Sequence, residues 1–211
     1  MNNFNKIKPL LNFESEDDFY FLQLLRRKKD NPEMNSNSKV VKNYYITSIE
    51  YLESKMPEII ELCDKFNARA SLRLNKRSFE SVAFKTMVNV VNVISNRDFK
   101  FVRNCYDRAC GQSSNQKTDK RWIIDLDGEE AMWIEHPDHY EEFCNFVNSL
   151  QPEGEKVKKV ISSKTGYHVI TNPFNKMHFK ERFPQIGIHT DNPVNLYVPN
   201  TMNLYTPDGR N

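Results

Sequence analysis

The spacing of hydrophobic and polar positions changes several times along the chain, and each change predicts a new element. Residues 40–46 are rich in β-branched and aromatic side chains, which predicts a strand. Apolar residues then recur at helical spacing over 48–66, after a serine suited to capping a helix. Residues 68–74 alternate as in a half-buried strand, and a second helix follows over 78–94. This order predicts a βαβα module.

The apolar positions of the second helix predict which of its side chains face inward. Phe79, Val82, Met87 and Val91 are expected to lie toward the core. Before the module, residues 1–39 are predicted to be a peripheral extension. Within that extension, clustered leucines and phenylalanines over 19–27 suggest a short helix.

The second half of the chain predicts two further helices, set among strands in the order β-α-β-β-α-β. Such an order is typical of the ferredoxin-like unit, which is also that of RNA-recognition motifs. The fold class is therefore predicted as α+β. The predicted elements are strand 121–127, helix 137–150, hairpin strands 157–162 and 167–171, helix 174–183, and strands 186–190 and 194–198.

The length of 211 residues suits one good-sized domain or two small modules that share a core. We expect one domain over 40–211, made of the αβ module 40–115 and the β-α-β-β-α-β unit 120–200. The net charge of +2 is too small to indicate a partner by itself.

The cysteines and the chain's start bear on location. The four cysteines lack a repeated metal-type spacing, so free buried thiols are favoured over a zinc site or disulfides. The first residues lack the apolar stretch of a secretory signal, and no segment is apolar for long enough to span a bilayer. We therefore expect a cytoplasmic protein with no membrane partner.

Two carboxylates interrupt the strand 121–127. Alternation places Asp125 and Asp127 on one face, with Cα atoms about 7 Å apart, while Ile124 and Leu126 point to the core. Such a pair can bind divalent ions roughly 4 Å apart, as in two-metal phosphoryl transfer, and oxygen ligands favour Mg²⁺ or Mn²⁺. The alternative is a strand end that simply meets solvent at Gly128.

The turn between the hairpin strands carries groups suited to a phosphate. Ser163, Lys164 and Thr165 supply donors, and Gly166 allows close backbone approach. His168 follows on the next strand and shares a face with Gly166. It is expected either to donate to a triphosphate oxygen or to have only a structural role. The spacing is not that of a P-loop.

Further polar residues are open to two interpretations each. Asp191 follows a predicted strand and is either a third metal carboxylate or a turn former. His189 is a possible zinc ligand. Alternation on strand 68–74 places arginines on an open face, and the turn after this strand is also basic. These basic residues either bind nucleic-acid phosphates or are simply exposed to solvent. The residues of this predicted basic face are Arg69, Arg73, Lys76 and Arg77.

In combination these motifs resemble those of the archaeo-eukaryotic primase superfamily, which includes primase-polymerases of phages and mobile elements. That family's first motif is an Asp-x-Asp strand, matched by Asp125 and Asp127. Its second is a small residue, any residue and a histidine, matched by residues 166–168. Its third is a hydrophobic residue followed by an acid after a strand; we match it to Asp191, although Thr190 precedes it. The resemblance covers about residues 40–200.

The resemblance implies a DNA primase that uses nucleoside triphosphates on a single-stranded DNA template in replication. It implies Mg²⁺ or Mn²⁺ bound by Asp125, Asp127 and Asp191, and a triphosphate held by Ser163, Lys164 and His168. The chain shows no helicase motifs, so a helicase or another replication protein is an expected partner.

Two other functions use some of the same residues. A non-catalytic nucleic-acid- or nucleotide-binding module would keep a degenerate form of this fold, but base stacking would favour aromatic residues where the strands carry Asp125, Asp127 and His168. A metal nuclease would need the acids but no grip on a triphosphate, so Lys164 and His168 favour the primase.

Overall fold

The computed structural model describes residues 1–112 and 120–200, and it has the predicted α+β class, with two antiparallel sheets. The end of the predicted domain, 201–211, lies outside the described residues. Short 3₁₀ helices occupy Lys8–Leu10, Phe99–Asn104 and Glu130–Glu135. The helices are α1 (Phe4–Ile7), α2 (Ile49–Phe66), α3 (Phe79–Ser95), α4 (Cys105–Gly111), α5 (Pro137–Ser149) and α6 (Lys176–Arg182). The strands are β1 (Asp18–Arg27), β2 (Ser38–Ile46), β3 (Arg69–Arg73), β4 (Arg77–Ser78), β5 (Trp122–Asp127), β6 (Val157–Ser162), β7 (Gly166–Thr171), β8 (Gly187–His189) and β9 (Pro193–Tyr197).

The first sheet has the strand order β2-β1-β3-β9, and β4 also pairs with β1. The predicted helix over 19–27 is wrong, because these residues form β1 in the middle of this sheet. The segment expected to be peripheral thus supplies a central strand. Phe19 and Phe21 pack beneath α3 and α4, while Leu22 and Leu24 belong to the core under α2. A strand buried on both faces is continuously apolar, and periodicity cannot separate it from a buried helix.

The second sheet has the strand order β6-β7-β5-β8, with every pair antiparallel. Helices α5 and α6 cover one face of it, where Phe143, Val147 and Phe179 pack against Ile124 and Leu126. The opposite face is turned toward the first sheet, since Ile123, Ile161 and Ile170 belong to the same core as β1, β3 and α2. The two sheets therefore share one core.

The last strand connects the two sheets. The strands at 186–190 and 194–198 were predicted to follow one another in the second half, and both exist as β8 and β9. Only β8 joins the second sheet, whereas β9 pairs with β3 in the first. The turn between them, which holds Asp191, consequently lies between the sheets.

Helix α3 begins as predicted, with the Ser78 hydroxyl accepting a hydrogen bond from the backbone N–H of Ser81. Its inward face was predicted only in part. Val82 is buried as expected, but the prediction is wrong for Met87 and Val91, which are 64 % and 61 % exposed. The buried face consists of Val82, Asn89 and Val93, on the opposite side of the helix.

Among the described residues no helix combines the length and the apolar character that a bilayer crossing requires.

Candidate functional site

A polar cleft of about 570 Å³ lies between the sheets, which is a volume typical of ligand sites. The first sheet lines it with β1, β3 and β9, and the second with β5, β8 and the turn from β6 to β7. Five Lys and Arg side chains and two carboxylates line its walls, and three of the five basic side chains are paired with Asp30 or Asp191. The predicted site residues that line it are Asp125, Asp127, Ser163, Lys164, His168, Arg69 and Arg73.

Strand β5 presents the two aspartates to the cleft. Ile124 and Leu126 are fully buried against α5 and α6, so alternation turns Asp125 and Asp127 the other way. Asp125 is half-buried and Asp127 is exposed. The Asp127 Oδ1 accepts a hydrogen bond from the Thr165 hydroxyl at 2.8 Å. The predicted shared face of the two carboxylates is confirmed.

Two histidines flank Asp125. His168 lies directly across from it on β7, with Nε2 at 3.4 Å from Oδ1. His189 on β8 has its Nε2 at 3.7 Å from Oδ2. The hydrogen bond with His168 and the charges of both imidazoles lower the pKa of the Asp125 carboxyl, although partial burial acts in the opposite direction. Asp125 is therefore held ionised. His189 was considered from sequence only as a zinc ligand.

The turn between β6 and β7 is held by its first residue. Ser163 Oγ accepts hydrogen bonds from the backbone N–H groups of Gly166 at 2.9 Å and Thr165 at 3.3 Å. Gly166 pairs with Asp127 so closely that a Cβ would lie 2.1 Å from the Leu126 carbonyl oxygen. Glycine is required here by the strand contact, and Ser163 shapes the turn that presents Lys164.

Asp30 is a site residue that the sequence did not indicate. Its carboxylate accepts hydrogen bonds from Arg69 Nε and Nη2, both at 2.7 Å, and from Lys164 Nζ. Burial alone would raise the pKa of Asp30, but the bonds from Arg69 and Lys164 outweigh it and lower that pKa. Arg69 belongs to the first sheet and Lys164 to the second, so Asp30 bridges the sheets at the cleft. Arg69 and Lys164 are far from Asp30 in the sequence, so no local sequence pattern identifies Asp30 as a site residue.

Asp191 is bound to the first sheet and does not line the cleft. Its Oδ2 accepts a hydrogen bond from Arg77 Nη2 at 2.6 Å and lies 3.4 Å from Arg73 Nη1. Its Oδ1 accepts one from Asn75 Nδ2 at 3.2 Å. Asn75 also donates to the backbone carbonyls of Thr190 and of the residue before β5. The structure therefore brings Asp125, Asp127 and His168 together but gives Asp191 internal partners.

The predicted basic face is divided by the structure. Arg69 and Arg73 lie on the side of β3 that faces the cleft. Arg69 is nevertheless buried in its pair with Asp30, and of the two only Arg73 is partly exposed. Arg77 is fully buried, and it donates to backbone carbonyls and to Asp191. Lys76 is also buried, with Nζ 3.4 Å from an oxygen of Asp18. Lys76 and Arg77 therefore do not present an open surface to phosphates.

The carboxylate donors that line the cleft are those of Asp125 and Asp127. Among the described residues there is no group of three or more His, Cys, Asp or Glu arranged to hold a metal. Mg²⁺ is commonly bound through one or two carboxylates together with water and substrate phosphates. The two carboxylates of Asp125 and Asp127 suit a divalent cation that keeps other oxygen ligands of its own.

No family model matches the chain, and comparisons with curated proteins and with solved structures find no significant match.

Proposed function

We propose that this chain is a metal-dependent nucleotidyltransferase, a DNA primase or primase-polymerase of the archaeo-eukaryotic type, which synthesises primers on single-stranded DNA. The observation that carries the proposal is the meeting of Asp125, Asp127, His168 and Lys164, from separate segments, in one polar cleft. The strand order β6-β7-β5-β8, with α5 and α6 on one face, supports an RNA-recognition-motif-like arrangement of the second half. A cytoplasmic location is part of the proposal.

The residues have distinct roles in this proposal. Asp125 and Asp127 hold Mg²⁺ or Mn²⁺, which neutralises charge on the phosphates and lowers the barrier to phosphoryl transfer. Lys164 and Arg73 bind the triphosphate or the template backbone, while the buried Arg69 is held by Asp30. Ser163 shapes the turn that holds Lys164.

Two further residues act as positioning residues. His168 orients Asp125 and keeps it ionised through the contact at 3.4 Å. Asp191 anchors the turn between β8 and β9 through Arg77. This assignment differs from the metal-ligand role expected for Asp191 from the resemblance.

Primer synthesis on single-stranded DNA tests the proposal. Purified protein with Mg²⁺ or Mn²⁺ and nucleoside triphosphates is expected to make or extend primers. Asp125→Asn and Asp127→Asn should each lower the rate by about 10²-fold or more, because each removes a metal ligand. Glu129→Gln is the matched control, since this exposed acid lies two residues beyond Asp127 and outside the cleft lining. Equal rates in all four proteins would contradict the proposal.

The internal pairing of Asp191 favours a second candidate, a nucleotide- or nucleic-acid-binding module that lacks catalysis. Without a third free carboxylate, the cleft would bind a triphosphate and metal without turnover. Metal-dependent binding with no primer synthesis under any nucleotide or template would support this candidate over the primase.

A further inference from the structure

The outward side of α3 carries apolar residues where a surface helix normally carries polar ones. Five of them recur at helical spacing, with 48–64 % of each residue exposed. The following 3₁₀ helix extends the surface. We call this surface the α3 patch: Phe84, Met87, Val88, Val91 and Ile94, with Phe99, Phe101 and Val102.

The polarity of α3 is inverted relative to an ordinary amphipathic helix. Its buried face includes Asn89, whose amide donates to the Cys105 carbonyl oxygen at 3.3 Å. Val82 and Val93 are the other buried residues of the helix. The side turned to solvent is therefore richer in large apolar residues than the side turned to the core. This arrangement explains why the sequence predicted Met87 and Val91 to be inside.

The size of the α3 patch exceeds what a monomer ordinarily exposes. The exposed fractions of its eight side chains correspond to roughly 800 Å² of apolar surface, against about 300–600 Å² for the largest patch of a typical monomer. Each partner of a standard protein interface contributes about 800 Å². The patch alone is large enough for a specific interface.

We propose that the α3 patch is a homodimer interface, in which α3 packs antiparallel against α3 of a second copy. An interface of this two-fold kind must be self-complementary. A two-fold axis at the level of Asn89 sets Phe84 of one copy opposite Ile94 of the other, and Met87 opposite Val91. Large apolar residues of α3 then face each other from Phe84 to Ile94.

The charges at the two ends of the patch favour the antiparallel arrangement. The exposed side chain of Glu80 lies at the start of α3, where the helix dipole is positive. Beyond its end, the exposed Arg97, Lys100 and Arg103 outnumber the single acid Asp98. Antiparallel packing brings the acidic end of one copy to the basic end of the other, and it also opposes the two helix dipoles. Parallel packing would set like charges together.

The proposed interface is independent of the proposed function. None of the α3 patch residues lines the cleft between the sheets. Substitutions in the α3 patch and in the cleft therefore test the dimer and nucleotide binding separately.

Sedimentation of the full chain over a range of concentrations tests the interface. The wild type is expected to follow a monomer–dimer equilibrium, and Val91→Glu or Met87→Glu to raise the dissociation constant by at least 10²-fold. Met177→Glu is the matched control, because Met177 is 76 % exposed and lies outside the patch. Circular dichroism checks that all variants remain folded. A wild type that stays monomeric throughout, or a Val91→Glu protein that dimerises like Met177→Glu, would overturn the proposal and leave the patch to another partner.

Cross-linking with a short bifunctional thiol reagent tests the orientation. In a Cys144→Ser background, Val91→Cys is expected to cross-link between copies, because it lies near the axis. Ser81→Cys is expected not to, since antiparallel helices place the two copies of residue 81 about 24 Å apart along the axis. Cross-linking of both variants indicates parallel helices, and cross-linking of neither indicates no contact; either result contradicts the arrangement.

Discussion

At the scale of single residues, two positions make contacts that a different side chain would disturb. Gly166 brings β7 against β5 where the site's aspartates lie, and Asp30 neutralises two basic side chains from different sheets. Both residues act on the cleft through geometry and charge.

Gly166→Ala should destabilise the protein by about 1–3 kcal/mol, because the added Cβ would meet the Leu126 carbonyl oxygen at 2.1 Å and push the strands apart. Chemical denaturation measures the effect. Gly111→Ala is the control, since a Cβ at this helix end meets nothing within 4 Å, and its stability should be unchanged or slightly higher. Similar losses in both variants would argue against the strand contact.

Asp30→Asn should lower the free energy of unfolding by about 3 kcal/mol at neutral pH, because Arg69 stays buried without a charged partner. Folding lowers the pKa of Asp30 from its ordinary 3.8, so its contribution is present above that pH and is lost as pH falls through the lower folded value. The difference between wild type and variant should therefore shrink well below pH 3.8, as measured by urea denaturation.

Glu33→Gln provides the comparison for Asp30. Glu33 pairs with Arg26 at the surface, and 65 % of its side chain is exposed. Its loss should cost less than about 1 kcal/mol. A loss for Asp30→Asn as small as this would show that the bridge between the sheets contributes little.

At the scale of elements, the turn between β8 and β9 links the two sheets. Arg77, Arg73 and Asn75 bind Asp191 from the first sheet, and the same turn ends the strand that carries His189. We infer that Asp191 maintains the width of the cleft.

Asp191→Asn should lower the free energy of unfolding by about 3–5 kcal/mol, because it leaves the fully buried Arg77 without its carboxylate. Metal-dependent nucleotide affinity, measured on the folded variant at low temperature, should fall far less than in Asp125→Asn. Unchanged stability with complete loss of metal binding would instead make Asp191 a metal ligand.

The elements differ in how far the sequence could predict them. Helices α2 and α5 and strand β5 have local signals, such as the Ser48 cap, the Pro137 start and the alternation through Asp125. Strand β1 was missed because burial on both faces removes its alternation. The outward face of α3 was assigned to the core because apolar spacing does not distinguish a core contact from a contact with another chain. The partners of Asp191 could not be predicted, because they require β9 to join the first sheet. The partners of Asp30 could not be predicted either, because they come from contacts across the cleft.

At the scale of the whole molecule, two antiparallel sheets share one core and leave a cleft between them. The first sheet supplies mostly positive charge, and the second supplies the two carboxylates with the histidines beside them. Neither half contains a complete site. The central claim is that this composite cleft binds a nucleoside triphosphate together with a divalent cation.

Calorimetric titration of a nucleoside triphosphate into the protein, with and without Mn²⁺, tests that claim most directly. We expect saturable binding only with Mn²⁺, at least tenfold weaker in Asp125→Asn and Asp127→Asn and unchanged in Glu129→Gln. Binding of equal strength without the cation, or in the two aspartate variants, would contradict the account.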